Sequence, residues 1–178
     1  MNSLPADDTP RKQLTWEEVV IAATALFELN INESELSLMA EKASLPLSDS
    51  LRLQWMGFVH AGIICAIMDQ APRRAVVEYI AQTKSLLNKF ARLDEAAADS
   101  FIDTVLNPYV QMIMGHEQRK TPFRLLEQVM GKGYPESMEK PKLAFISGMM
   151  AITLCNILDT LGRYEFLPDT AAEPQSAS

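Results

Sequence analysis

Cysteine and histidine are scarce in this chain of 178 residues, two of each, and the scarcity narrows the chemistry. Two thiols cannot build the disulfide framework of a small secreted domain. The chain starts "MNSLPADDTPRKQL", without the charged, apolar and small-residue order of a signal peptide. A reducing, cytoplasmic setting is therefore expected, with Cys65 and Cys155 free. There is no HExxH and no CxxC, and the residues three places before His60 and His116 are Gly57 and Ile113, not the glutamates of a di-iron bundle. "GKG" at 131–133 lacks the upstream glycine and the following Ser or Thr of a phosphate loop. No cofactor and no metal is expected. Alternating β-branched runs between hairpin turns are also missing, as is any solenoid repeat.

What the chain does have is a succession of helix signals. In "TWEE", Thr15 and Glu18 form a capping box ahead of the apolar run Val19 to Leu29, and Asn32 with Glu35 repeats the device for a helix through Ala43. Ser48 or Asp49 can cap a long helix to about Asp69. Pro72 suits the first position of the next helix, which sets Val76, Ile80, Leu87 and Phe90 on one face. Asp94 caps "EAAADSFIDTVL", Asn107 and Pro108 predict a kink or break, and Thr121 caps "PFRLLEQVM" before Gly131 ends it. The expectation is an all-α, single-domain bundle of seven or eight helices over residues 15–166. Disordered tails are expected at 1–14 and 167–178.

Two stretches carry no charge: 53–68, between Arg52 and Asp69, and 143–158, between Lys142 and Asp159. Each spans 16 residues, short of the ~20 needed to cross a bilayer, and Gln54, His60 and Asn156 would be costly in lipid. Two long central helices, not membrane spans, are expected. Both repeat a small residue every fourth position, Gly57, Ala61 and Cys65 in one and Ser147, Ala151 and Cys155 in the other. Such rows let a second helix approach closely. They predict helix packing, between these two helices or across a subunit interface. His60 and Asn156 stand as a buried polar site. Met112, Met114 and Met130 supply flexible thioethers suited to an adaptable partner surface.

Two families are brought to mind by local motifs. "GFVHAGIICAIMD" resembles the hotdog-fold thioesterases through Gly57, His60, Gly62 and Asp69; the resemblance implies catalysis by His60 and Asp69 beside an antiparallel sheet. "TWEEVVIAATALFELN" followed by "MAEKASLPLSDSLRL" resembles the start of a TetR-family regulator through Ala23, Leu26, Phe27, Ala40 and Ala43. That resemblance implies a helix-turn-helix followed by a ligand-sensing helical domain, although Ser44 replaces the turn glycine and Pro46 intrudes.

Charge bears on the second implication. The whole chain carries −7. Residues 15–60 hold Glu17, Glu18, Glu28, Glu33, Glu35, Glu41 and Asp49 against Lys42 and Arg52, seven acids less two bases, a formal −5. Such a surface opposes phosphate, so no nucleic-acid binding is expected. Arg73, Arg74, Lys84, Lys89 and Arg92 fall on the following helix, where they could complement this acidic front. His60 and Asp69 are nine residues apart, ~13.5 Å along one helix, too far to share a proton. By subtraction, the expected function is a non-enzymatic protein-interaction module: an adaptor, chaperone or regulatory partner that forms a homo-oligomer or binds another protein. A degenerate TetR-like ligand-sensing regulator and a thioesterase-like enzyme are the alternatives.

Overall fold

The computed structural model describes residues 11–168. Four of the five expected side-chain caps are in place, at Thr15, Asn32, Ser48 and Asp94. At α1 (Trp16–Asn30), Glu18 N–H donates to Thr15 Oγ1 at 3.4 Å while Glu18 Oε2 accepts from Thr15 N–H at 2.9 Å. Asn32 starts α2 (Glu33–Ala43), Ser48 starts α3 (Asp49–Met68), and Asp94 starts α5 (Glu95–Phe101), each accepting a backbone N–H from inside the first turn. Pro72 immediately precedes α4 (Arg73–Ala91). Each such cap is worth about 1 kcal/mol.

Where a kink or break was expected at Asn107 and Pro108, the helix is unbroken and passes through a widened turn. α5 passes through one π-helical turn, Ile102–Leu106, directly into α6 (Asn107–Met114). Pro108 has no N–H for the helix ladder and its ring crowds the preceding turn, and the extra residue of a π turn relieves that crowding. The Thr104 carbonyl, four places before the proline, accepts from Arg124 Nη2 at 2.7 Å.

A 3₁₀ turn, Gln118–Lys120, leads into α7 (Thr121–Met130). Thr121 lies inside that helix and donates back to Gln118 O at 2.8 Å, so it is not the cap that the sequence suggests. A single-turn α8 (Tyr134–Ser137) precedes α9 (Lys140–Gly162).

α3 is the axis of the bundle, with α1, α4, the π turn, α6, α7 and α9 packed around it. Trp55, Phe58, Ile63 and Ile67 on this helix are almost wholly shielded, and each such side chain contributes roughly 1.5–3 kcal/mol. Trp55 Nε1–H also donates to Asn30 O at 2.8 Å, tying the end of α1 to the axis. Among the described residues the fold is all-α but for one short ribbon.

That ribbon corrects the expected N-terminal tail. Lys12–Leu14 (β1) pairs in parallel with Tyr164–Phe166 (β2), and Leu14 is buried. The rest of the expected tails, residues 1–10 and 169–178, lies outside the described residues. A second correction concerns α4. Its buried face is Ala75, Tyr79, Thr83, Leu86 and Leu87, whereas Ile80 and Phe90 are exposed. A third concerns α9, which is long and apolar but not central. Its inner face, Ile146, Met150, Leu154, Ile157 and Leu161, is buried, while Ile152 is 63% exposed.

The acidic front and basic fourth helix meet in part. Lys89 Nζ lies 2.8 Å from Glu28 Oε1, and the Arg74 guanidinium sits 3.9 Å above the Trp16 ring. Arg52 instead binds Glu33 and Asp49 within the acidic front, and Lys84 pairs with Asp99 of α5.

Candidate functional site

The polar residues of α3 form no open site. His60 is fully buried, its ring stacked on Phe27 at 3.8 Å, and its Nδ1 is 2.9 Å from Tyr79 Oη. Burial lowers the imidazole pKa to about 3, so His60 is neutral. Its Nε2 has no hydrogen-bond partner among the described residues. If the tyrosine hydroxyl donates to Nδ1, only the Nε2–H is left unpaired. The opposite direction would strand both the hydroxyl proton and the Nε2 lone pair, so Tyr79 donating is the better-satisfied arrangement. Asp69 is exposed at the far end of the helix. The structure therefore does not bring His60 and Asp69 together, and the sheet of a hotdog fold is absent among the described residues.

The two small-residue rows do not meet each other. Gly57 faces the π segment: a β-carbon there would stand 2.6 Å from Val105 Cγ1 and 3.6 Å from Tyr109 Cδ2. Cys65 Sγ lies 4.0 Å from Val110 O on α6. Gly57, Ala61 and Cys65 are all buried inside the one chain, so they serve helix packing there and no subunit interface. α9 approaches α3 at another glycine, Gly62, against Leu154 and Ile157. Burial, with Asp69 nearby, pushes the Cys65 thiol up to about 11.

The second row is open to solvent. Ser147, Ala151 and Cys155 line a groove of about 500 Å³ between α9 and the start of α7, walled by Phe58, Pro122, Met150, Leu154 and Leu158. A second groove of about 300 Å³, lined by Cys65, Met68, Asp69, Met114 and His116, shares Gln118 and Leu158 with the first. Among the methionines of the expected partner surface, Met114 is half exposed in this second groove. Met112 is half-buried, and Met130 is exposed at the end of α7. Asn156 is exposed on α9, so it forms no buried polar site with His60.

The TetR-like residues Ala23, Leu26, Phe27, Ala40 and Ala43 are all buried. The helix that follows them is the bundle axis, however, and α3 presents no long open face that could enter a DNA groove. No group of three or more acidic, histidine or cysteine side chains able to hold a metal ion occurs among the described residues.

Compared with protein-family profiles, with curated proteins and with solved structures, the chain matches none.

Sequence reasoning did not find Tyr79, the partner of His60, or the Gln54–Tyr109 pair, in which the phenol donates to Gln54 Oε1 at 3.0 Å. Two polar residues, Gln54 and His60, within the one apolar helix α3 were the available signal. Nor did it find the groove, whose walls come from α3, the 3₁₀ turn, α7 and α9 together.

Proposed function

We propose that the protein acts by binding another protein through the outward apolar surface of α9 and the adjoining groove, as an adaptor, chaperone or regulatory partner and not as an enzyme. One observation carries the reading. Among the described residues, α3 and α9 are the two helices apolar and long enough to cross a membrane by length and composition. At 20 and 23 residues they are longer than their uncharged stretches of 16, but they are buried very differently. In α3, 83% of the most apolar stretch is covered by the rest of the chain, and in α9 only 28%. The buried inner face of α9 makes it part of the bundle. An apolar helix with this much face left open is characteristic of a surface that another molecule covers.

The groove supports the same reading. Its floor is small, its walls are apolar, and the methionine at the rim of its extension, Met114, can change shape to suit a ligand helix. Leu158, 42% exposed and common to both grooves, is the residue to change. Immobilised wild-type protein should retain from its native cells a partner that Leu158→Glu fails to retain, with the helical circular dichroism unchanged. Equal retention by both proteins would remove the groove from the proposal. A thioester hydrolysis abolished by Asp69→Ala would replace the whole reading with an enzymatic one.

A further inference from the structure

We infer that the outward face of α9 is covered by a second copy of the same helix, running antiparallel about a two-fold axis at the level of Met150, on the side of the helix away from that buried residue. This rests on the reading of α9 as a binding surface and names its occupant.

The centre line of the outward face is Pro141, Phe145, Gly148, Ile152, Cys155 and Asp159, with Phe145 and Gly148 half-buried and the other four exposed. Their spacings are four, three, four, three and four, the heptad seam of paired helices. From Pro141 to Asp159 the seam runs ~27 Å. A two-fold axis at position 150 maps this line onto itself: Gly148 falls opposite Ile152, Phe145 opposite Cys155, and Pro141 opposite Asp159. A two-fold interface must be self-complementary in this way.

Shape agrees with the register. Ile152 is 63% exposed. A β-carbon at Gly148 would have no neighbour within 4 Å, so each glycine leaves space for the other copy's isoleucine. Charge agrees too. Asp159 would meet the opposite helix at Pro141, between Lys140 and Lys142. Neither Asp159 nor Lys140 has an ion-pair partner among the described residues, while Lys142 already holds Glu139 at 2.8 Å. The helix dipoles oppose each other in this arrangement. A parallel pair would set Asp159 on Asp159, Lys140 on Lys140, and glycine on glycine with a void between.

Light scattering on the full chain should give twice the 19.9 kDa chain mass. Ile152→Glu should weaken self-association by at least ~10-fold while leaving the thermal melt of the dissociated chain intact. Phe145→Cys, oxidised, should produce a covalent dimer linked between position 145 of one copy and Cys155 of the other, identified by peptide mapping. A wild-type chain that stays monomeric at high micromolar concentration would overturn the inference. So would a dimer indifferent to Ile152→Glu, or oxidation yielding only Cys155–Cys155 links. Flotation of a monomeric wild type with anionic phospholipid vesicles, lost in Ile152→Glu, would assign the face to lipid and overturn it as well. A monomer that still retains a partner through Leu158 would end the self-pairing and leave the proposed function standing.

Discussion

Tyr79 Oη and His60 Nδ1 lie 2.9 Å apart in a part of the core where neither side chain is exposed to solvent. Burial holds the tyrosine well above the usual phenol range and the histidine at about 3. Both groups are therefore neutral partners across the interface between α3 and α4. The bond joins two consecutive helices and lies on the buried face of α4, with Ala75, Thr83, Leu86 and Leu87.

The pair should behave as a unit. His60→Leu leaves the Tyr79 hydroxyl without a partner and Tyr79→Phe leaves Nδ1 without one, so each is expected to cost about 1–3 kcal/mol. The double variant removes both polar groups and should recover much of the loss, which a denaturant double-mutant cycle measures. Strict additivity of the two losses would show that the bond contributes nothing.

The same histidine predicts a pH dependence. Its pKa is 6.5 unfolded and about 3 folded, so between these values the unfolded chain binds a proton that the folded chain does not. Stability is then complete above about pH 6.5 and falls as the pH drops toward 3, by up to ~1.4 kcal/mol per pH unit. Glu33, held low by its hydrogen bond to Arg52, adds its own acid sensitivity, but it is present in every variant and cancels in a comparison. Between pH 7 and pH 5 the wild type should lose more stability than His60→Leu/Tyr79→Phe. Equal slopes would mean that His60 gains its proton without unfolding.

Gly57 is a closer fit than any other glycine in the core. Its missing β-carbon would stand 2.6 Å from Val105 Cγ1, whereas at Gly62 the nearest atom is the movable Leu154 Cδ1 at 3.1 Å. Gly57→Ala gains helix propensity, worth up to ~1 kcal/mol, but forces a β-branched neighbour aside. A net loss of about 1–2 kcal/mol is expected, with a smaller effect for Gly62→Ala. Val105→Ala should relieve part of the Gly57→Ala penalty. Thermal melts of the four proteins test this, and a stabilised Gly57→Ala would refute the close approach.

Arg124 answers for a proline. Its Nη2 bonds the Thr104 carbonyl that Pro108 leaves without a helical donor, and its guanidinium sits 5.5 Å from the centre of the Tyr109 ring. Arg124→Met should cost about 1 kcal/mol, a modest figure because the carbonyl is near solvent. In a Pro108→Ala background, where position 108 regains its N–H, that cost should shrink. A cost unchanged by the proline would separate the two features.

Features that depend on neighbours in sequence were the legible ones. The four caps at Thr15, Asn32, Ser48 and Asp94 need only residues within one turn, and each stands where the sequence places it. The buried face of α4 was misread because hydrophobicity favoured Ile80 and Phe90 over Tyr79 and Thr83. The latter two are buried because their oxygens are satisfied, Tyr79 by His60 and Thr83 by Tyr79 O at 3.1 Å. α3 and α9 look alike in composition, and only the packing of distant helices leaves one enclosed and the other half bare. β1 and β2 come from opposite ends of the described chain, where no local pattern signals their pairing.

The two cysteines offer a direct reading of that difference between α3 and α9. Cys65 is buried against α6 with its thiol raised to about 11, whereas Cys155 is exposed on α9. Since the thiolate is the reactive form, a disulfide reagent near neutral pH should modify Cys155 in the native protein and reach Cys65 only when the chain opens. The Ile152→Glu variant is the suitable background, because a paired α9 would itself shield Cys155. One thiol should titrate rapidly there, and the second should appear with the rate of unfolding in denaturant. Two equally fast thiols would mean that the reagent reaches Cys65 through the groove it lines with Met68 and Met114, and that this end of α3 is open in the native bundle.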